Sequence, residues 1–404
     1  MTTPSGQLAI VLADLGMGGV QRVTLRLAAG LVEQGHGVDL VVFRENGELR
    51  DRIPTGVEVV TLRGQSTARG RLAALRADPG GFWPMLLPVL LAPKAKWQLR
   101  YVGALARYLR ARRPRALLSA SLGYSNPVSY WAHRAAGVPC RLVLSQHNPL
   151  SLHLRRRGGP SGWQWRYAAP LLRRTYTAAD HVVAVSGGVA DDLAETLAME
   201  RQAIRVIYNP IVEGPGPDVA ATDAPHPWLD RRNARVLVWV GRLAPEKDVP
   251  TLLRALQILR KSEDVRLILV GDGPERARSE ALCRHLGVDK AVAFTGWHAQ
   301  PQAFMARADA LVLSSRYEGL PTVLVEAMAQ GCAVVATACP GGVVEVLGEG
   351  RYGALVAPGD PQALAKAIRD TLCKPPSRRA LRRRAQDFSV AKAVMEYARL
   401  LCGT

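Results

Sequence analysis

Short unbroken runs of Val, Ile and Leu punctuate the chain, and between them apolar residues recur every three or four positions. L-A-I-V-L at residues 8–12 and V-L-V-W-V at 236–240 are examples of the first kind, too short for buried helices and free of internal polar residues. Such runs predict strands buried on both faces, and the 3.6-residue periodicity between them predicts covering helices. On this basis strands are expected at 8–13, 38–43, 57–62, 116–120, 141–145, 181–185 and 204–208. A second series is expected at 235–241, 265–270, 291–295, 309–314, 332–337 and 353–356. Alternation of this kind argues for an α/β protein with doubly wound parallel sheets. The two series are separated by V-E-G-P-G-P-D-V-A-A-T-D-A-P-H-P at 212–227, a Pro- and Gly-rich linker signature. The expected organisation is a first Rossmann-like domain over 1–210, a linker over 211–233 and a second such domain over 234–390. The helical pattern F-S-V-A-K-A-V-M-E-Y-A-R-L-L predicts a terminal helix, 391–404, that packs back. At 404 residues two domains are the default, and two facing sheets of this type bind ligands in the cleft beyond their strand ends.

Charge changes the picture in one region. The formal net charge is +19, and residues 60–179 hold twenty Lys and Arg against a single acid, Asp78. Five of the eight tryptophans, Trp83, Trp97, Trp131, Trp163 and Trp165, lie in the same window. A basic, Trp-rich stretch faces anionic lipid or nucleic acid, the bland alternative being an arginine-rich solvated surface. No apolar run reaches the ~20 residues of a membrane-spanning helix. The nearest, F-W-P-M-L-L-P-V-L-L-A-P at 82–93, is short and broken by two internal prolines, which rules out a conventional span and leaves open a segment that lies in the membrane surface. Six cysteines without a C-x-x-C pair, and a start without a basic n-region, lead to the expectation of reduced thiols in a cytoplasmic protein.

Several stretches carry candidate chemistry. D-L-G-M-G-G-V-Q-R follows the first strand and opens a helix, so its glycines bring backbone N–H groups within reach of an anion, although G-x-G-x-x-G is not matched. Arg242 and Lys247, in G-R-L-A-P-E-K, sit just past a strand end where two cations could grip a phosphate; a surface ion pair with Glu246 or Asp248 is the plainer reading. V-G-D-G-P at 270–274 is another glycine turn after a strand. R-Y-E-G-L-P-T-V-L-V-E-A-M-A-Q-G at 316–331 places Glu318 in a tight turn and Glu326 inside a short, almost wholly apolar helix. A carboxylate there is costly unless paired. No D-x-D and no H-x-x-x-H occurs, so no metal ligand set is expected.

Taken in order, G-G-V-Q-R, V-I-Y-N-P, G-R-x-x-x-x-K, V-G-D-G-P, the pair Glu318 and Glu326 at E-x-x-x-x-x-x-x-E spacing, and G-A-L-V-A-P-G-D resemble the retaining glycosyltransferases of GT-B fold, family 4 (group 1). The resemblance covers nearly the whole chain and implies a nucleotide-diphosphate sugar, UDP- or GDP-linked, as donor, with no metal or other cofactor. It implies that Arg242 and Lys247 hold the diphosphate, that Glu326 binds the ribose hydroxyls and that Glu318 faces the sugar. Gly319, Leu320 and Thr322 would offer backbone N–H groups, and Gly18 and Gly19 would close over the phosphates. His147 stands where the family has a histidine near the donor sugar, in His-Asn-Pro where His-Glu-Pro or His-Asp is common. Arg242, Lys247, Glu318 and His147 are thus the expected catalytic residues.

For the acceptor, basic and aromatic residues of the first domain are the candidates: Lys94, Lys96, Trp97, Arg155, Arg156, Arg157, Trp163 and Trp165. They lead to the expectation of a peripheral enzyme on the inner face of the plasma membrane, extending a lipid-linked glycan in surface polysaccharide synthesis. A soluble transferase with a small-molecule acceptor is the alternative. A nucleic-acid-binding protein is the remote one, since no such motif appears and the charge is confined to one half.

Overall fold

The computed structural model describes residues 7–16, 18–92, 97–120, 125–156, 167–214, 225–230 and 234–403. It divides into two compact units, residues 1–210 with 390–404 and residues 211–389. Unit 1 is built on a parallel sheet of seven strands: β1 Leu8–Leu12, β2 Val38–Val42, β3 Val57–Thr61, β4 Ala116–Ser119, β5 Arg141–Gln146, β6 His181–Ala184 and β7 Ile204–Val206. Unit 2 has six: β8 Arg235–Val240, β9 Val265–Val270, β10 Val292–Gly296, β11 Ala310–Leu313, β12 Ala333–Thr337 and β13 Ala354–Val356. Each strand expected from an apolar run is present, with bounds within two residues of the expected ones.

The strand orders are β3-β2-β1-β4-β5-β6-β7 and β10-β9-β8-β11-β12-β13. Both reverse direction once, between β1 and β4 and between β8 and β11, where Leu8 pairs with Ala116 and Leu237 with Ala310. At such a reversal the connecting loops diverge and leave a crevice beyond the carboxyl ends of the strands. The helices used below are α1 Gly19–Glu33, α2 Thr67–Ala77, α3 Ser125–Ala136, α4 Ala169–Thr177, α5 Val249–Leu259, α6 Thr322–Ala329 and α7 Val390–Cys402.

The apolar runs are buried as their composition requires: β1, β2, β11 and β12 are buried at every position. The core of unit 1 takes in Val394, Tyr397, Leu400 and Leu401 from α7, so the last helix completes the first unit. Gly30 on α1 makes that possible, because a Cβ there would stand 2.4 Å from Val394 Cγ2. The two chain crossings run side by side, the amides of Ile211 and Val212 both donating to the Phe388 carbonyl at 3.1 and 3.2 Å. All six cysteines are free thiols. Among the described residues no helix is long and apolar enough to cross a membrane.

Candidate active site

In unit 2 the segment after β8 is fixed from two sides. Gly271 (φ +138°) and Gly273 (φ +158°) let the loop after β9 approach it so closely that a Cβ on either would meet the carbonyl oxygens of Gly241 and Leu243 at 1.9 and 2.3 Å. These two positions therefore need glycine on both steric and dihedral grounds. From the other side the end of β11 holds the turn Pro245–Lys247: the Arg316 amide donates to the Glu246 carbonyl (2.8 Å), and Ser314 Oγ to that of Lys247 (2.8 Å). Asp248, in the left-handed region at φ +45°, precedes α5; its carboxylate accepts from Thr251 Oγ1 at 3.0 Å and pairs with Arg316 Nε at 3.3 Å.

This clamp brings Lys247 to Glu318. Nζ lies 2.5 Å from Glu318 Oε1, with the side chains only 21% and 12% exposed, and Ser315 Oγ donates to the same oxygen at 2.6 Å. A charge-assisted contact shielded from water is stronger than its surface counterpart, and it satisfies a carboxylate that would otherwise be costly to bury. Thr337 Oγ1 donates to the Ser315 carbonyl at 2.5 Å, anchoring that residue to β12. Cys339 is buried beside the pair; burial, and then the charge of Glu318, push its thiol up to about 12. Gly341 (φ +110°) closes over the turn, where a Cβ would fall 1.6 Å from the Glu318 carbonyl oxygen. The Glu318 amide in turn donates to the Pro340 carbonyl (3.1 Å), and the Gly342 amide to that of Gly319 (2.8 Å).

Arg242 lies apart from that pair. Its side chain is 69% exposed and meets Glu246 at 3.0 Å, the local contact that its spacing offers. Leu320 is buried, Thr322 opens α6, and Glu326 is 7% exposed on the same helix. Gly331 ends that segment at φ +73°, the conformation glycine supplies after a helix.

In unit 1, Gly18 caps α1 without a side-chain partner and Gly19 is its first residue, with open space where a Cβ would be. Asp14 shapes the turn before them, accepting from the Gly16 amide at 3.1 Å and from Gln21 Nε2 at 2.9 Å. His147 follows β5 and is 6% exposed. Its Nε2 lies 3.1 Å from Ser145 Oγ, while Nδ1 is buried without a hydrogen-bond partner among the described residues. Burial pushes the imidazole down to about 4, so the ring is neutral at pH 7. A polar chain surrounds it: Asn126 Nδ2 donates to the Ser145 carbonyl (3.1 Å) and to Tyr176 Oη (2.7 Å), and Tyr176 donates to Gln146 Oε1 (2.5 Å).

Of the acceptor candidates, Lys94, Lys96, Arg157, Trp163 and Trp165 lie outside the described residues, as does the side chain of Arg156. Arg155 is exposed near the end of its helix. Trp97 is packed, edge-on to Phe43 at 6.2 Å and to Tyr101 at 5.9 Å, with the Arg44 guanidinium 4.0 Å from its ring centre. Ser315, Gly341 and the Asp248–Arg316 pair escape a reading of the sequence, because their partners are distant along the chain. The S-S-R that precedes Tyr317 and the C-P-G-G at 339–342 are the only local signals for them. Among the described residues no three His, Cys, Asp or Glu gather as a metal site would require.

Two family profiles tile the chain: Glycosyltransferase Family 4 over residues 17–213 and Glycosyl transferases group 1 over residues 224–388. The chain is similar to an N-acetylgalactosamine-N,N'-diacetylbacillosaminyl-diphospho-undecaprenol 4-alpha-N-acetylgalactosaminyltransferase of Campylobacter jejuni, 26% identical over 57% of this chain and 60% of that protein. It is 34% identical to the lipopolysaccharide core biosynthesis glycosyltransferase LpsE of Rhizobium meliloti, over 53% of this chain and 60% of the relative. It thus matches about three fifths of the length of these two relatives. Among solved structures, Anabaena Alr3699/HepE in complex with UDP superimposes with a TM-score of 0.73 at 22% identity, over 99% of this chain and 100% of the other. WaaG, a glycosyltransferase involved in lipopolysaccharide biosynthesis, gives 0.71 at 17% identity, over 98% and 100%. These two likenesses establish the two-sheet GT-B fold.

Proposed function

We propose that this chain, which belongs to the group 1 and family 4 glycosyltransferases of GT-B fold, moves a sugar from a nucleotide-diphosphate donor to a lipid-linked glycan with retention of configuration. The observation that carries the reading is the clamped Lys247–Glu318 pair at the carboxyl ends of β8 and β11, with Arg242 exposed at the start of the same loop. Lys247 is held in place by the backbone contacts of its turn before any phosphate arrives. A preformed cation of this kind stabilises charge growing on a leaving diphosphate without reorganising at the moment of reaction. Arg242, on a long exposed side chain, adds a second, planar donor set for the phosphate oxygens.

Glu326, within α6, accepts the ribose hydroxyls, and Glu318 faces the sugar, while the backbone amides of Gly319, Leu320 and Thr322 line the approach to that helix. Gly18 and Gly19 contact the phosphates from unit 1. His147, being neutral, offers hydrogen bonds to the sugar and no positive charge. The lipid-linked acceptor is supported by the names of the relatives, which include a diphospho-undecaprenol transferase and lipopolysaccharide transferases. Work at the inner face of the plasma membrane, as a peripheral protein, follows from such an acceptor together with the charge of residues 60–179.

A melting-temperature screen with UDP, GDP and their sugars tests the donor site, since a ligand that binds only the folded state raises stability with the logarithm of one plus the ratio of its free concentration to Kd. One nucleoside diphosphate should raise the melting temperature of the wild type, and Lys247→Ala should remove most of the shift. No shift with any of them at millimolar concentration would overturn the reading.

A further inference from the structure

Residues 78–92 form a connection wound into three short helical turns, Pro79–Gly81, Phe82–Met85 and Leu86–Leu90, and pinned at both ends. At its start Asp78 is buried; its carboxylate accepts two bonds from Arg174 on α4, at 2.6 and 2.5 Å, and one from Tyr130 on α3 at 3.0 Å. At its end the Ala92 carbonyl accepts from Arg71 on α2. Between the pins, Met85 and Val89 are fully buried and hold the segment to the unit. The same backbone turns Phe82, Trp83 and Leu91 outward; Trp83 is 77% and Leu91 62% exposed. On α2, the helix whose Arg71 holds Ala92, Arg69, Leu72 and Arg76 are all exposed and spaced i, i+3 and i+7, hence on one helical face.

Two independent properties coincide here. Large apolar side chains stand in water on a segment that is braced rather than free, so no folding of the segment hides them. The sequence that builds the segment and its flanks is basic: between residues 60 and 179 the one acid is Asp78, which pairs with Arg174. A surface with apolar tips among arginines is complementary to a layer whose outer shell is anionic and whose interior is hydrocarbon. Trp97 does not share this exposure, being packed against Phe43 and Tyr101.

We infer that Phe82, Trp83 and Leu91 enter the headgroup layer of an anionic lipid bilayer, and that the Arg69–Leu72–Arg76 face of α2 lies against its phosphates. The inference rests on the reading of this chain as a peripheral membrane enzyme and names the element that makes the contact. The docking element is separate from the donor site in unit 2.

Co-sedimentation with vesicles of phosphatidylcholine, alone or mixed with phosphatidylglycerol, tests it on the full chain. Wild type should sediment with the mixed vesicles and remain in solution with phosphatidylcholine alone. Trp83→Ser with Leu91→Ser should reduce the partition roughly tenfold or more, the effect of removing two apolar side chains from the interface. Arg69→Glu with Arg76→Glu should lower binding to the mixed vesicles most strongly at low salt. All four side chains are exposed, so the melting temperature should stay at the wild-type value. Wild-type partition by the Trp83/Leu91 variant would overturn the inference while leaving a membrane-bound transferase intact. Failure of the wild type to bind anionic vesicles would overturn the membrane reading with it. Single-stranded RNA displacing the protein from the vesicles at physiological salt would assign the surface to nucleic acid instead.

Discussion

Glu318 and Glu326 belong to one short segment, yet their surroundings ask different things of them. Glu318 shares one oxygen between Lys247 and Ser315, so its charge is already engaged by the cation assigned to the leaving diphosphate. Glu318→Gln keeps the size and removes the charge, leaving Lys247 without its counter-ion; turnover should fall by at least tenfold, with donor binding changed little. Glu326→Ala should raise the donor dissociation constant roughly tenfold, because charge-assisted bonds to hydroxyls are lost. Isothermal titration with the nucleoside diphosphate and a sugar-transfer assay separate the two effects. Equal, mild changes would return both acids to a purely structural role. His147 yields a prediction in pH. Its pKa falls from the ordinary 6.5 to about 4 on burial, so the unfolded chain binds a proton in that interval that the folded one refuses. Stability from this group is therefore complete above about pH 6.5 and is lost as pH drops toward 4, at up to ~1.4 kcal/mol per pH unit. His147→Gln should flatten that part of the melting-temperature profile relative to wild type. At this scale the sequence marks Glu318, Lys247, Arg242 and His147 as separate candidates, and even anticipates the Arg242–Glu246 contact from its spacing. That Lys247 finds Glu318 is not legible, since it depends on Ser314 and Arg316 drawing two loops together.

Elements were the most legible level, because a strand buried on both faces has to be written as an unbroken apolar run, and V-L-V-W-V or A-V-V-A-T can be little else. Turns that serve the site are harder to read, as the case of Gly341 shows. The C-P-G-G stretch announces a bend but not which neighbour the bend approaches. Here the neighbour is the Glu318 carbonyl, 1.6 Å from where a Cβ would lie. Gly341→Ala should lower stability by roughly 1–3 kcal/mol through the forced positive φ and the contact. It should also reduce turnover, since the turn bearing Glu318 must shift; the same substitution at Gly359, also at positive φ but with open space around it, is the control. An unchanged turnover in Gly341→Ala would detach this loop from the site. The Asp78–Arg174–Tyr130 clamp is equally silent in the sequence, joining residues that only the packing of α2, α3 and α4 brings together.

At the level of the whole molecule, charge and chain path follow different divisions. The excess of basic residues belongs to the first half of the sequence, where composition alone exposes it, and the docking segment lies in that same half. The path of the chain is less even. Unit 2 is one continuous stretch, residues 211–389, whereas unit 1 is assembled from residues 1–210 and a helix that comes after all of unit 2. The apolar stripe of α7 reads as a helix in the sequence, but its destination is fixed only by Gly30 and the core around Val394 and Tyr397. Synthesis proceeds from the first residue, so the ribosome presents a seven-stranded sheet whose α1 side is still open. The missing helix arrives only after unit 2 has been made, a delay of roughly ten to forty seconds at ordinary elongation rates. During that interval α1 around Gly30, and the neighbouring strands β4 and β5, lack the cover of α7. The unit that is begun first thus completes its core last.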